Sequence, residues 1–176
     1  MAFNISDFRS SIGAGVQRQN RWEVEVQFPT YAGDVADVTD ASLQARSTAT
    51  PGWTLGKIDL PWQGRQIPIP GDRTFEDFTL TFVSVQDNKV RDAFEKWSNA
   101  INGLESNQGL AKLEDFMRDI TLYLLNQNGN RIKSYTLKDA WPLELGSIDL
   151  DMDSADAAAI FTVTFSYVTM SSNTTS

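Results

Sequence analysis

The feature that most constrains this chain is a strict two-residue alternation that recurs along its length. Trp22, Val24, Val26 and Phe28 alternate with Glu23, Glu25 and Gln27. Phe78, Leu80 and Phe82 alternate with Thr79, Thr81 and Val83, and Phe161, Val163, Phe165 and Tyr167 alternate with Thr162, Thr164 and Ser166. Successive side chains of a strand point to opposite faces, so each segment predicts a strand with one apolar face and one wet face. Several such strands must close their apolar faces on one another. The predicted class is therefore mainly β, a β-sandwich or barrel-like fold with one flanking α-helix.

The other elements follow from breakers and spacing. In the first 19 residues Phe3 is isolated, while Ile5, Phe8 and Ile12 have helical spacing that ends at Gly13-Ala14-Gly15, which predicts an N-terminal arm over 1–19. Pro29–Asp40 reads as a loop carrying Asp34, Asp37 and Asp40. Strands are predicted over Ser42–Thr48, Leu55–Leu60 and Gln63–Ile69, the last closed by Pro70-Gly71-Asp72. Val90, Phe94, Trp97 and Ile101 fall at i, i+4, i+7 and i+11, one face of a helix, with Asp87 or Asn88 as its cap and Gly103 at its end. Asp119–Asn126 and Ile132–Ala140 read as a hairpin closed by Asn128-Gly129, with both turn residues at positive φ. Trp141-Pro142 is predicted to break the second of these strands. Ile148, Leu150 and Met152 alternate with Asp149, Asp151 and Asp153 as another strand. The domain proper spans 20–170, and the Ser/Thr-rich 171–176 reads as a flexible tail.

Composition removes whole classes of chemistry. The 176 residues suit one domain, able to bury roughly 70% of its unfolded surface. There is no cysteine and no histidine, which excludes disulfides, thiolate nucleophiles, His-based triads and the usual acid/base residue near neutral pH. Fifteen basic against 23 acidic residues leave a net charge of −8, whereas a tight nucleic-acid binder presents a basic patch. No apolar run reaches the roughly 18–20 residues of a membrane span, and no signal-peptide core opens the chain, so synthesis in the cytoplasm and no membrane insertion are expected.

Apparent site motifs fail on inspection. Asp149, Asp151 and Asp153 imitate the opening of a calcium loop, but Ser154 stands where glycine is required and Ile160 where glutamate is. The wet face of a strand accounts for them. Asp34, Asp37 and Asp40 read as a solvated loop. Gly13-x-Gly15 has Arg18 at the third glycine position and no strand before it. Glu76 and Asp77 are adjacent on a predicted strand and so point apart. Trp22, Trp97 and Phe165 are core candidates by periodicity. No catalytic, cofactor or metal residues are assigned, and no enzyme activity is expected.

Two blocks carry the reading further. The first is Gly64-Arg65-Gln66-Ile67-Pro68-Ile69-Pro70-Gly71-Asp72-Arg73-Thr74-Phe75, leading into the Thr-rich Phe78–Phe82 and the helix bearing Phe94 and Trp97. The second is Leu137-Lys138-Asp139-Ala140-Trp141-Pro142, then Leu145-Gly146-Ser147-Ile148 and the acidic run to Asp153-Ser154. Over roughly 20–168 the chain resembles the tail tube protein family of contractile-tailed phages, which is related to the tubes of contractile injection systems. Gly71, Asp72, Arg73, Phe75, Trp97, Trp141, Pro142, Gly146 and Asp153 carry the resemblance.

That resemblance implies a structural virion protein assembled in the host bacterial cytoplasm. It implies hexameric rings stacked into the inner tail tube, with sheath, baseplate, tape-measure and tail-terminator proteins as partners. DNA would pass through the lumen without specific binding, and no cofactor is implied. Glu23, Glu25, Asp149 and Asp151 are candidate lumen-facing acids from alternation. The alternative is the inner tube of a phage-derived injection machine, an R-type bacteriocin or secretion-system tube.

Overall fold

The computed structural model describes residues 4–13 and 15–175; Phe3 of the arm, Ala14 of the glycine-flanked break and the last tail position lie outside them. The elements in chain order are α1 (Ile5–Ser11), β1 (Trp22–Val26), α2 (Val35–Gln44), β2 (Ala45–Thr48), β3 (Trp53–Trp62), β4 (Arg65–Phe75), β5 (Phe78–Val83), α3 (Lys89–Ile101), α4 (Leu113–Phe116), β6 (Arg118–Leu125), β7 (Arg131–Leu145), β8 (Ile160–Ser166) and β9 (Thr169–Ser172). Seven strands form one antiparallel sheet in the order β1-β6-β7-β8-β5-β2, with β9 added against β7. Among the described residues β3 and β4 pair only with each other.

The alternating segments bury the residues their period assigns inward. Val24, Val26, Ile120, Leu122 and Leu137 come from one half of the sheet; Phe78, Leu80, Phe82, Phe161, Val163 and Phe165 come from the other. Both sets join Val90, Ala93, Phe94 and Trp97 of α3 in one continuous core. Each large apolar side chain so buried contributes about 1.5–3 kcal/mol. The rings of Phe94 and Trp97 stack with centroids 6.4 Å apart, and the Trp97 indole N–H donates to the Phe116 carbonyl at 2.7 Å. That bond ties α4 to the core helix.

β7 is the strand that makes two half-sheets of one. Its first part pairs with β6 and β9, whereas Trp141–Leu145 pair with β8. At the changeover Asp139 takes φ +57°, and its amide donates to the Asp119 carboxylate at 3.2 Å. Trp141-Pro142 therefore does not end the strand, as the sequence suggests. Pro142 sits buried opposite Phe165, and the register slips between Pro142 and Glu144 because proline has no N–H to give the ladder.

Other expectations are corrected locally. Part of the predicted 29–40 loop, and the start of the strand after it, is helix α2. The Asp37 amide donates to the Asp34 carboxylate at 3.2 Å and the Asp34 amide to the Asp37 carboxylate at 2.7 Å, a reciprocal cap that starts the helix. Asn88 is the N-cap residue of α3, but its side chain makes no cap bond; the neighbouring Asp87 carboxylate accepts from the Lys89 amide at 3.4 Å. The β6–β7 turn is longer than the two-residue form. Only Gly129 has positive φ there, +81°, and the Asn126 side chain accepts from the amides of Asn128 and Asn130. The tight two-residue turn lies at Gln63-Gly64, with φ of +46° and +80°. Glu76 and Asp77 lie between strands, not on one.

The predicted strand over 148–153 is absent. The segment is irregular, with Leu150 87% and Met152 102% exposed. Asp151 folds it instead, accepting from the Asp153 amide at 3.0 Å and the Ser154 hydroxyl at 2.8 Å. These contacts hold the Asp151 carboxyl below its ordinary pKa, the Asp153 amide first and the Ser154 hydroxyl second. At the C-terminus, β9 takes Ser171 and Ser172 into the sheet, and Ser172 is buried.

Candidate assembly surfaces

The β3–β4 hairpin is a ribbon whose strand residues are almost all exposed. Ile58 pairs with Ile69 and Leu60 with Ile67, so alternation gathers Ile58, Leu60, Trp62, Ile67 and Ile69 on one face. All five are 40–65% exposed. The reverse face carries Lys57, Asp59, Pro61, Gln66, Pro68 and Pro70, with Lys57 and Asp59 in a 3.0 Å ion pair. Ten residues of β3 make the ribbon roughly 30 Å long. The ribbon contributes little to the core: among the described residues it is Phe75, at its base, that packs there, with its ring 5.6 Å from that of Tyr167.

Gly71, Asp72, Arg73 and Phe75 all belong to this ribbon, not to a turn. Gly71 faces Gly56 across it, and a Cβ on Gly71 would meet the Gly56 backbone at 3.2 Å. The two glycines let the strands approach where the register shifts between Leu55 and Lys57. The Arg73 guanidinium lies 5.8 Å from the Trp53 ring centre. Trp97 is core, and Trp141 and Pro142 lie where β7 changes partners. Gly146 follows β7; its amide donates to the Thr162 carbonyl at 2.7 Å, and its own carbonyl accepts from the Arg91 guanidinium at 3.2 Å. Asp153 lies in the exposed acidic segment.

The four candidate lumen acids come from two different elements. Glu23 and Glu25 lie on the outward face of β1, whereas Asp149 and Asp151 lie in the irregular segment after β7. Arg131 bonds both glutamates, at 3.1 Å to Glu23 and by a second ion pair of 2.6 Å to Glu25. Its guanidinium also covers the Tyr123 ring at 3.7 Å. Burial first and the Glu25 charge second raise the Tyr123 pKa, with Arg131 opposing. The alternation shows the acids but not Arg131, which reaches them across β6 from the start of β7.

Further along the same outward face, the Thr121 and Thr136 hydroxyls meet at 3.4 Å across strands. The other half-sheet turns Thr79, Thr81, Thr162 and Thr164 outward, with Thr81 and Thr162 at 3.5 Å. Both outward faces are thus hydrated, hydroxyl-rich walls. Among the described residues, no group of three or more acids is placed to hold a metal ion.

Comparison with known proteins agrees with a surface-built function. The family described as phage tail tube protein matches residues 17–173. A tail tube protein of Serratia phage KSP90 is 42% identical over 165 residues, 93% of this chain and 93% of its own. Tail tube protein gp19 of Enterobacteria phage T4 is 26% identical over 164 residues, 93% of this chain and 91% of its own. A chain in the anti-feeding prophage baseplate superposes with a TM-score of 0.65 at 17% identity, covering 89% of this chain and 95% of that one. A chain in the sheath-tube complex of an extracellular contractile injection system, in its extended state, gives 0.61 at 16%, covering 98% and 99%. At those identities the likeness concerns the fold, which is the mainly β one expected. The chain belongs to the phage tail tube protein family, whose members are structural and not enzymes.

Proposed function

We propose that this protein closes into hexameric rings that stack into the inner tube of a contractile tail, and that the genome leaves through the bore. The observation that carries the reading is the uncovered apolar face of the β3–β4 ribbon. Fully burying five such side chains would yield about 1.5–3 kcal/mol each, and roughly half of that for side chains already half-covered. The sum is about 5 kcal/mol, comparable to the ~4–15 kcal/mol cost of bringing two proteins together. One ribbon docking alone therefore gains little. A closed ring in which every copy both gives and receives a ribbon repeats the gain at each joint, and rings stacked along an axis repeat it again.

The unpaired edges of β1 and β2 supply further joints between subunits. Glu23 and Glu25, among threonines and partly neutralised by Arg131, suit a bore wall over which DNA slides without sticking. Sheath, baseplate, tape-measure and terminator proteins are the expected partners. The 42% identity to a phage tail tube protein supports genome passage over the cargo of an injection machine. Negative-stain microscopy with light scattering on the purified protein tests the reading. Rings or tubes of uniform width are expected. A strictly monomeric protein at every concentration and salt, with or without a baseplate initiator, refutes it.

A further inference from the structure

At the start of β1 the surface opens into a cleft of about 570 Å³ lined by Arg18, Arg21 and Arg46 together with Gln19, Thr48 and Thr50. No acid lines it. Among the described residues none of the three arginines has an ion pair. The Arg21 Nη1 atom is buried without a hydrogen-bond partner. Three unpaired guanidinium groups repel one another, and a buried unpaired donor is costly. In a chain of net charge −8, such a cluster is the exception that needs an anionic occupant.

The molecule carries a matching piece elsewhere. Asp149, Asp151, Asp153 and Asp156 lie in the exposed segment between β7 and β8, and among the described residues none of them has an ion pair either. Leu150 and Met152 stand out from the same segment almost fully exposed. The Asp151 turn holds its shape through its own hydrogen bonds, so little ordering cost remains on docking.

The Arg18–Arg21 side of the cleft and the acidic segment lie at opposite ends of β7. Gln17, next to Arg18, donates to the Leu125 carbonyl at 3.3 Å, which places the cleft beside the β6–β7 turn where β7 begins. The acidic segment leaves from the far end, after Leu145. Fifteen residues of strand, a contour of roughly 46 Å, run between the turn beside Arg18 and the start of the acidic segment.

We propose that the Asp149–Asp156 segment of one copy seats in the Arg18–Arg21–Arg46 cleft of the copy ahead of it, as the polar lock between successive rings. This rests on the tube reading above and names the contact that lets strongly acidic rings stack head to tail. Opposite charges at the two ends also give the stack a direction, since head-to-head and tail-to-tail rings would oppose like charges.

The test uses two charge-reversed full-length proteins, one carrying D149K, D151K and D153K, the other R18E and R46E; Arg21 is spared because it is partly buried. Each variant alone should form rings, with tube mass by sedimentation and microscopy lowered by about tenfold or more. An equimolar mixture should recover tubes, because the lysine segment of one variant fits the glutamate cleft of the other and the reverse pair is native. The neutral variants D149N/D151N/D153N and R18Q/R46Q should weaken stacking less than the reversals do. Single variants that polymerise like the parent overturn the proposal and leave the tube reading intact. So does a mixture that stays as rings. A parent protein that never forms rings or tubes overturns both.

Discussion

Replacing Trp97 with phenylalanine keeps most of the ring and removes one hydrogen bond, so it isolates what the indole nitrogen does. The bond to the Phe116 carbonyl is short, 2.7 Å, and joins a fully buried side chain to the helical turn that leads into β6. Losing it costs about 1 kcal/mol, and leaving the half-buried Phe116 carbonyl unpaired adds about 1 kcal/mol at the low end of the usual penalty. The smaller ring opens a gap among Phe28, Phe94 and Phe165, whose centroids lie 5.9, 6.4 and 6.3 Å from that of Trp97. That gap adds about 1 kcal/mol. The sum for W97F is about 3 kcal/mol, a fall in Tm of roughly 6–12 °C for a domain this size. W97A should cost roughly 5 kcal/mol or more, because a full aromatic deletion takes about 3–5 kcal/mol before the orphaned carbonyl is counted. Urea denaturation of unassembled subunit, followed by far-UV circular dichroism, reads both values. Hydrogen exchange should show faster loss at the Met117 amide, which closes the α4 turn onto the Leu113 carbonyl. A W97F protein within ~0.5 kcal/mol of the parent would falsify the account, since it would mean the carbonyl is satisfied without the indole.

The ribbon substitutions L60E and I67E should leave subunit stability within about 0.5 kcal/mol, because neither side chain touches the core, yet abolish ring formation in light scattering; normal rings would remove the ribbon from the interface. G129A should cost about 1–2 kcal/mol by chemical denaturation, since φ +81° is strained for any residue with a Cβ; no change would mean the turn relaxes freely. Tyr31, Tyr123 and Tyr167 all have pKa values raised chiefly by burial. Their contribution to stability is complete below the unfolded value near pH 10 and is lost as pH rises through the higher folded values. Denaturation midpoints should therefore fall in alkali, and flat midpoints above about pH 10 would contradict the burial. In the same titration E25Q should lower the Tyr123 pKa, since the Glu25 charge helps raise it; an unmoved phenolate signal would count against that coupling.

Period-two alternation made the core legible, because β1, β5 and β8 each bury the residues their pattern assigns inward. The same rule misled at Ile148–Asp153, where alternation exists but the segment pairs with no strand among the described residues, and Asp151 builds a turn instead. Helix α2 was missed although Asp34 and Asp37 stand at capping-box spacing before Val38 and Ala41, both of which pack inward. The weak polarity contrast of that segment hid the signal. Trp141-Pro142 looked like an end because proline usually breaks a ladder. A strand that trades one partner for another can place its missing donor at the exchange. The candidate surfaces were less readable, since Arg131 and the Arg18–Arg21–Arg46 cleft are assembled from elements far apart in the chain.

Pro61, Pro68 and Pro70 on the back of the ribbon have a consequence for the subunit before it assembles. A long, two-stranded, apolar ribbon with free edges is the shape that recruits other chains into uncontrolled sheets. Prolines strip backbone donors from those edges, leaving few sites for a stray strand to zip onto. Attachment is then confined to the flat apolar face, which demands a partner of matching contour. Loose subunits with such a ribbon should therefore join edge to edge less readily than ones whose edges keep every donor.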